Sequence, residues 1–391
     1  MNGGVLPIGR IGGVEVRVHL SWVLIMAMVV VGMGGDLVPA VHPEWPPALA
    51  WTLGFVVALL TFASVAVHEL AHALVARRWG IPTAAVTLYF FGGTGAMETE
   101  ASHPDEEIRV AAAGPLASAA LGLAFLVVGV AADAAGGAGA AAVTLPAAVL
   151  AGLNLVLAGV NLVPGFPLDG GRILRAMIWR ATGDERRATR AASRIGRVIG
   201  LGLVVAGFLL ALAGAAFDGI ALLLCGWLLS NASRAMDRRA VLEELLAGVP
   251  VEAAMERDAP GLAPQLTLDT FAEEVLSRGP GTGLPVVRDG SLLGMLGVSQ
   301  LQRIRRAKWA TTRAADAMTG RSLLPLLTPE SSLWSGLEQL QRAGLDALPV
   351  MAGSDLLGIL TRRGVAEAIR TRAEQAGLLA RGRRAGPGGA R

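Results

Sequence analysis

The chain has 391 residues, of which 53% are hydrophobic and 17% are charged, and its mean hydropathy is +0.54. Soluble globular domains carry about 25% charged residues, so this composition points away from a purely soluble protein. The charges are concentrated after about residue 233, which predicts a membrane part followed by a soluble part. The formal net charge of +3 gives no indication of nucleic-acid binding.

Long apolar runs predict six membrane spans. The N-terminal run is not followed by a clear small-x-small cleavage site, so we interpret it as a retained first span rather than a signal peptide. The last two spans are the weakest, and we expect them to form a tight hairpin with Asp218 at its tip. The predicted spans cover residues 18–35, 48–72, 108–132, 143–163, 196–216 and 217–233.

Positive charges occur in only one of the two sets of loops that the predicted spans separate. The loops at residues 36–47, at 133–142 and around Asp218 contain no Lys or Arg. Cytoplasmic loops of membrane proteins carry an excess of basic residues, so we expect a multi-pass protein of the cell membrane with both termini in the cytoplasm. The basic loops contain Arg10, Arg17, Arg77, Arg78, Arg172, Arg175, Arg180, Arg186, Arg187, Arg190, Arg194, Arg197, Arg234, Arg238 and Arg239.

A His-Glu-x-x-His motif, from His68 to His72, closes the second predicted span. The preceding residues 48–67 contain no charge, and ionisable groups at membrane depth are rare unless they are used. On a helix the two histidines project from one face and can bind one zinc ion. Glu69 is then close enough to reach a zinc-bound water. The pattern predicts a metal hydrolase inside a bilayer with one zinc ion per chain.

Asp169 is the best candidate for the third zinc ligand. It follows a charge-free run from residue 134 to 168, and Pro164, Gly165 and Pro167 predict unwound backbone at membrane depth, which is tolerated where it lines a cavity or is packed in protein. Asp169 could instead cap the helix that begins at the following glycines, although its pairing with the zinc helix favours the ligand. The remaining histidines, which are less suitable, are His19, His42 and His103.

These residues resemble the site-2 protease family of intramembrane zinc metalloproteases over about residues 1–235. The resemblance implies that His68, His72 and Asp169 are the zinc ligands and that Glu69 is the general base. Where the family often has Asn after the Gly-Pro pair, this chain has Ser118. The matching segments are His68-Glu69-x-x-His72, Phe90-Phe91-Gly92-Gly93-Thr94-Gly95-Ala96-Met97, Ala112-Ala113-Gly114-Pro115, and Asn161-x-x-Pro164 with Asp169-Gly170.

The substrate implied by such a site is a transmembrane helix, which must unwind before it is cut. The segment 83–97, with Gly92 and Gly93, either offers an edge strand to an extended substrate or forms a purely structural hairpin; the sequence does not separate the two. Asn161 either hydrogen-bonds substrate backbone or packs between helices, and the family resemblance favours the first.

The C-terminal third contains an internal repeat. Leu284-Pro-Val-Val287 and Leu293-Gly-Met-Leu296 recur as Leu348-Pro-Val-Met351 and Leu357-Gly-Ile-Leu360. Each copy predicts strand, helix, strand, turn, strand and helix, and the pair resembles tandem CBS domains at residues 246–308 and 309–372. Residues 373–391 predict a disordered Arg- and Gly-rich tail.

The CBS resemblance implies adenosine-nucleotide binding, but the family's ribose-binding Asp is absent from both copies. That segment is 297–300 in the first copy and 361–364 in the second. A homodimer or docking role is at least as compatible with the pair.

The whole sequence thus predicts an α-helical multi-span membrane domain, with a small β element after the zinc helix, plus a cytoplasmic α/β tandem CBS module. The leading hypothesis is an intramembrane zinc endopeptidase that acts on single-span proteins in the lipid bilayer. A channel or transporter gated by the paired domains, and an inactive scaffold, are the alternatives. The channel or transporter is disfavoured because the membrane part lacks the scattered acidic residues expected of a cation path. The inactive scaffold is disfavoured because every catalytic element is present.

Overall fold

The structure is a computed structural model that describes residues 4–89, 92–97, 101–137, 139–278 and 283–375. The chain folds as two compact units, Met1–Arg238 and Arg239–Arg391.

The first unit combines a small sheet with long helices, and a π-helical turn at Gly32–Leu37 separates α1 from α2. In chain order its elements are β1 (Val5–Ile11), β2 (Val14–His19), α1 (Trp22–Val31), α2 (Val38–Val41), α3 (Pro47–Arg78), β3 (Thr83–Tyr89), β4 (Gly92–Met97), α4 (Pro104–Ala135), α5 (Ala140–Asn161), α6 (Asp169–Thr182), α7 (Glu185–Leu212) and α8 (Ala216–Leu246), whose last residues belong to the second unit.

Six helical segments in the described residues are long and apolar enough to cross a membrane, which confirms the predicted number. They are Trp22–Val41, Pro47–Arg78, Pro104–Ala135, Ala140–Asn161, Glu185–Leu212 and Ala216–Leu246. The predicted ends differ most at the first, fifth and sixth spans. The fifth and sixth helices continue into charged sequence that a hydropathy pattern excludes, whereas the first span begins later than predicted, after β2, and continues past Asp36 to Val41. Asp218 lies in the first turn of α8 rather than at the tip of the hairpin.

The sheet has the strand order β1-β2-β3-β4, and only the β2–β3 pair is parallel. Residue 18, which was predicted to begin the first span, lies in β2, and neither β1 nor β2 was predicted from the sequence. The signal was present, because apolar Val14, Val16 and Val18 alternate with polar residues after the Gly12-Gly13 turn. Since β2 precedes the first span and β3 follows the second, their pairing is consistent with two crossings between them.

Glycines allow the long helices of this unit to pack closely. A Cβ on Gly54 of α3 would lie 2.8 Å from the Val30 carbonyl oxygen, and one on Gly122 of α4 would lie 2.8 Å from Leu155 of α5. Small residues let membrane helices approach closely. The packing of α4 against α3, α5 and α6 makes α4 the central helix of this unit.

The second unit contains two similar β-hairpins. β5 (Gly283–Arg288) pairs with β6 (Ser291–Gly297), and β8 (Ala347–Ala352) pairs with β9 (Asp355–Thr361). Both hairpins have a register shift at the same place, after the fourth residue pair, which joins a valine to a glycine: between residues 286 and 287 and between residues 350 and 351. The predicted turns are confirmed, with positive φ at Asp289, Gly290 and Gly353.

The remaining elements of this unit are short. They are α9 (Leu268–Arg278), α10 (Val298–Leu301), α11 (Ala314–Ala317), β7 (Thr319–Gly320), α12 (Leu333–Ala343) and α13 (Arg362–Gln375), with three 3₁₀ turns. The leading strand predicted for each copy is reduced to an isolated bridge, Leu262 to Val286 and Leu327 to Val350. Helix α13 continues three residues into the predicted tail, where Ala373 is buried; the tail beyond residue 375 lies outside the described residues.

Candidate metal centre

The two histidines of the motif lie on one face of α3, as the i, i+4 spacing predicts. His68 is only 3% exposed, and the Nε2 atoms of His68 and His72 are 3.3 Å apart. Both rings therefore direct the same type of nitrogen into one small volume.

Asp169 is brought to this volume by the break between α5 and α6. Helix α5 ends at Asn161, and α6 begins at Asp169 itself. A Cβ on Gly170 would lie 2.3 Å from the Leu162 carbonyl oxygen, and one on Gly171 would lie 2.4 Å from the Gly165 carbonyl carbon. The two glycines thus allow the first turn of α6 to pack directly on the preceding backbone.

The three side chains converge. Asp169 Oδ2 lies 3.3 Å from His68 Nε2 and 3.2 Å from His72 Nε2. Three ligand atoms of His68, His72 and Asp169 lie within 4.8 Å of one another. The structure thus brings together, from positions about 100 residues apart in sequence, all three residues that the sequence singled out as ligands.

The donor set fits a zinc ion. His72 Nδ1 lies 2.7 Å from the Val110 carbonyl oxygen, which can only accept, so Nδ1 carries a proton and the Nε2 of the neutral ring has a free lone pair. Asp169 Oδ2 is buried without a hydrogen-bond partner among the described residues. Gathered nitrogen and carboxylate lone pairs repel one another unless a cation lies between them. Two histidines and one carboxylate are a known ligand set of catalytic zinc.

Both histidines are oriented from behind by α4. His68 Nδ1 lies 2.9 Å from the Ser118 hydroxyl, and His72 Nδ1 contacts the Val110 carbonyl. Such contacts to the second ring nitrogen fix the tautomer and orientation of a metal-bound histidine. Ser118, which in the sequence is only a departure from the family pattern, therefore contacts one of the candidate zinc ligands.

Replacing Ser118 by Ala is expected to speed zinc release to a chelator by about 10- to 100-fold, the usual effect of losing such a partner. Ser64→Ala is a matched control, because Ser64 is another buried serine, whose hydroxyl accepts from Asn154 instead of a histidine. Equal release rates from both variants would show that the Ser118 hydroxyl does not hold His68.

The other predicted site residues lie around this centre. Glu69 is half-buried on α3 beside His68. Asn161 is the last residue of α5, and its Nδ2 donates to the Leu157 carbonyl of its own helix at 2.9 Å. Gly92 and Gly93 begin β4, paired with Tyr89 and Leu88, and β4 is the last strand of the described sheet on that side.

Several contacts near the site carry no sequence motif. The Val110 carbonyl is a backbone group, so no residue type reveals it. Asn154 of α5 donates to Ser64, one turn before His68, and could have been found as a polar residue in an apolar run. Glu107, in the first turn of α4, and Arg175, in the middle of α6, form a buried ion pair that no spacing or motif in the sequence indicates.

Comparisons with known proteins match both parts of the chain to known families. A model of peptidase family M50 matches residues 55–134 and 131–203, and a model of the CBS domain matches residues 322–371. The zinc metalloprotease Rip3 of Mycobacterium tuberculosis is 36% identical over 367 residues, covering 93% of this chain and 92% of the relative. The zinc metalloprotease sll0528 of Synechocystis is 30% identical, covering 95% and 97%.

Among solved structures, the site-2 protease from Methanocaldococcus jannaschii is 26% identical, with a TM-score of 0.39; the match covers 60% of this chain and 95% of that chain. The identity of the full-length relatives and the family match together show what the chain is. It belongs to peptidase family M50, the site-2 protease family of membrane zinc metalloproteases.

Proposed function

We propose that this enzyme is an intramembrane endopeptidase that hydrolyses peptide bonds within the transmembrane segments of single-span proteins. The observation that supports this most directly is the convergence of His68, His72 and Asp169 within a bundle of membrane-spanning helices. His68 and His72 lie on a candidate span, and Asp169 follows the break after another. A site at this depth reaches peptide bonds that a soluble protease does not.

The proposed roles follow from the positions of the side chains. Bound zinc supplies Lewis-acid chemistry, lowering the pKa of a bound water to about 7 and polarising the scissile carbonyl. His68, His72 and Asp169 hold the ion. Glu69, one residue from His68, accepts a proton from the attacking water and passes it to the leaving amine nitrogen. Ser118 and the Val110 carbonyl keep both imidazole rings turned toward the ion.

The substrate backbone needs hydrogen-bond partners once it unwinds. The outer edge of β4, at Gly92 and Gly93, is proposed to pair with the extended substrate, because β4 ends the described sheet. Backbone approach is easiest at glycines, which have no Cβ. Asn161 is proposed to bind substrate backbone as well; its Nδ2 would have to leave the Leu157 carbonyl, or its oxygen would accept.

The test is cleavage by the purified full-length protein in liposomes. A panel of single-span substrates would be offered, the products mapped by mass spectrometry and the zinc content measured in parallel. Cuts within the spanning segments, with zinc near one per chain, would support the proposal. Zinc-loaded protein that cuts only exposed loops would contradict the intramembrane substrate class. Protein without zinc would contradict the ligand set and favour a scaffold or transporter.

Both termini are proposed to be cytoplasmic. An even number of candidate spans supports termini on one side of the membrane, and the arginine-rich loops support the cytoplasm as that side. Single cysteines introduced at Gly137 and at Gly183, in a Cys225→Ser background, should label differently in intact cells. Only the cysteine at position 137 is expected to react with a membrane-impermeant maleimide, and labelling at position 183 instead would reverse the orientation.

The second unit is proposed to be a tandem CBS module that regulates or docks the protease, with CBS domains at residues 246–308 and 309–372. The matching hairpins support the pairing of two copies. In the first copy, the Ser299 N–H donates to Asp346 Oδ2 at 2.8 Å and the Gly297 N–H donates to Gln300. In the second, the Thr361 hydroxyl donates to Glu256. These segments correspond to the ribose-binding segments of the family.

Because those groups already have partners within the protein, we expect AMP and ATP at 1 mM, about 1,000 times a micromolar Kd, to leave the thermal transition of the second unit unchanged. Binding to the native state with such a Kd would stabilise it by about 4 kcal/mol. A clear upward shift with AMP would show that the contacts of Asp346 open for a nucleotide. An unchanged transition would leave homodimer formation or docking as the role of the pair.

A further inference from the structure

A buried ion pair joins α4 to α6 beside the metal centre. Glu107, in the first turn of α4, is fully buried, and the Arg175 side chain of α6 is 8% exposed. Arg175 Nε lies 2.9 and 3.0 Å from the two carboxylate oxygens, and Nη2 also donates to Oε1. A guanidinium that engages one carboxylate through two nitrogens fixes angle as well as distance.

The pair lies on the same face of α4 that orients the histidines. Glu107, Val110, Gly114 and Ser118 are spaced by three, four and four residues, so they share one face of the helix. Val110 and Ser118 contact the two imidazole rings, and a Cβ on Gly114 would meet their Nε2 atoms. One face of α4 therefore sets the position of both histidine ligands.

Asp169 needs a separate connection to that face. It opens α6, and Arg175 lies six residues later, about 9 Å along the helix axis. The Arg175 guanidinium also lies 5.8 Å from the ring centre of Phe166, in the segment that leads into Asp169. Arg175 thus contacts both α4 and the segment that delivers the carboxylate.

Stability alone does not account for such a pair. Replacing a buried ion pair by apolar residues of similar volume is often neutral or stabilising, because desolvation offsets the attraction between the charges. What the ion pair provides, beyond stability, is then a fixed distance and angle between α4 and α6. Arg180 and Asp105 join the same two helices at the surface, at 2.9 Å, so α4 and α6 do not depend on the buried pair alone for contact.

We propose that Glu107 and Arg175 are positioning residues that place Asp169 against the two histidines, so that all three ligands are set from one face of α4. The inference rests on the proposed ligand set. If so, removing the ion pair should weaken zinc binding even in a protein that keeps its fold.

The test uses full-length protein in detergent and compares wild type with Glu107→Leu/Arg175→Met and with Arg175→Lys. Each protein would be assayed for thermal unfolding, for zinc release to a chelator and for the visible spectrum of its cobalt-substituted form. The double variant is expected to unfold at or above the wild-type temperature, yet to release zinc about 10- to 100-fold faster with an altered cobalt spectrum. Arg180→Gln, which breaks the exposed pair, should match wild type.

Arg175→Lys keeps the charge but loses the two-nitrogen geometry, and it decides the matter should the double variant not fold. Release from a folded Arg175→Lys variant within twofold of wild type, with an unchanged cobalt spectrum, would overturn the proposal. A wild-type protein that holds no zinc would instead overturn the ligand set itself. The two failures are therefore distinguishable.

Discussion

Replacing Glu69 by Gln is expected to abolish peptide cleavage and to leave zinc in place. The amide keeps the size of the side chain but cannot accept the proton of the attacking water, and general acid–base groups contribute about 10²- to 10⁴-fold to rate. His68, His72 and Asp169 remain unchanged, so the metal content should stay near one per chain. Cleavage rate and zinc content would be measured on the same preparation.

The matched control for Glu69→Gln is Asp133→Asn. Asp133 is an exposed acid near the end of α4, and its substitution removes one carboxylate without touching the site. The control should cleave at the wild-type rate. If the Glu69→Gln variant kept more than about a tenth of the activity, a loss smaller than any expected for a general base, the proton would have to be taken by another group.

The metal centre could be predicted from sequence to an unusual extent, because its chemistry restricts the residue types. Histidines at i and i+4 share a helix face wherever the helix lies, and a lone carboxylate after a long charge-free run has few other uses. Their convergence in the structure required only that the helix break before Asp169 face α3. The prolines and glycines of that segment predicted the break.

The support of the centre could not be predicted in the same way. Every residue has a backbone carbonyl, so the sequence does not indicate that the Val110 carbonyl contacts His72. Only the packing of α4 on α3 brings the two together. Ser118 was visible only as a departure from a pattern. Glu107 and Arg175 lie 68 residues apart, and neither charge identifies its partner in the sequence.

The limits of the secondary-structure predictions have a similar physical origin. A hydropathy pattern detects burial in lipid and therefore ends each span at the first charges, whereas α7 and α8 continue through arginine-rich sequence. In the repeat, the match between Leu284–Val287 and Leu348–Met351, each followed by a turn and a second matching segment, predicted the hairpins. The leading strands at Leu262 and Leu327 form only isolated bridges, because each residue has a proline two positions before it and two positions after it, and proline has no N–H to donate to a ladder.

Gly114→Ala is expected to remove zinc and activity together. A Cβ at this position would lie 2.2 Å from His72 Nε2 and 2.7 Å from His68 Nε2, inside the space of the ligand atoms. Moving either ring away would break its contact with Val110 or Ser118. Zinc content after dialysis and cleavage rate should both fall to background.

Global unfolding would not explain such a loss, because Ala is favoured over Gly within a helix by about 1 kcal/mol. Gly152→Ala is the matched control: Gly152 lies exposed on α5, and an added Cβ there meets no heavy atom within 4 Å among the described residues. That variant should keep both zinc and activity. A Gly114→Ala protein that retained one zinc per chain would mean that the ion is not held by the Nε2 atoms that face α4. The glycine of the Gly114-Pro115 pair would then serve helix packing alone, whereas loss of zinc from this variant and not from its control would make it part of the metal centre.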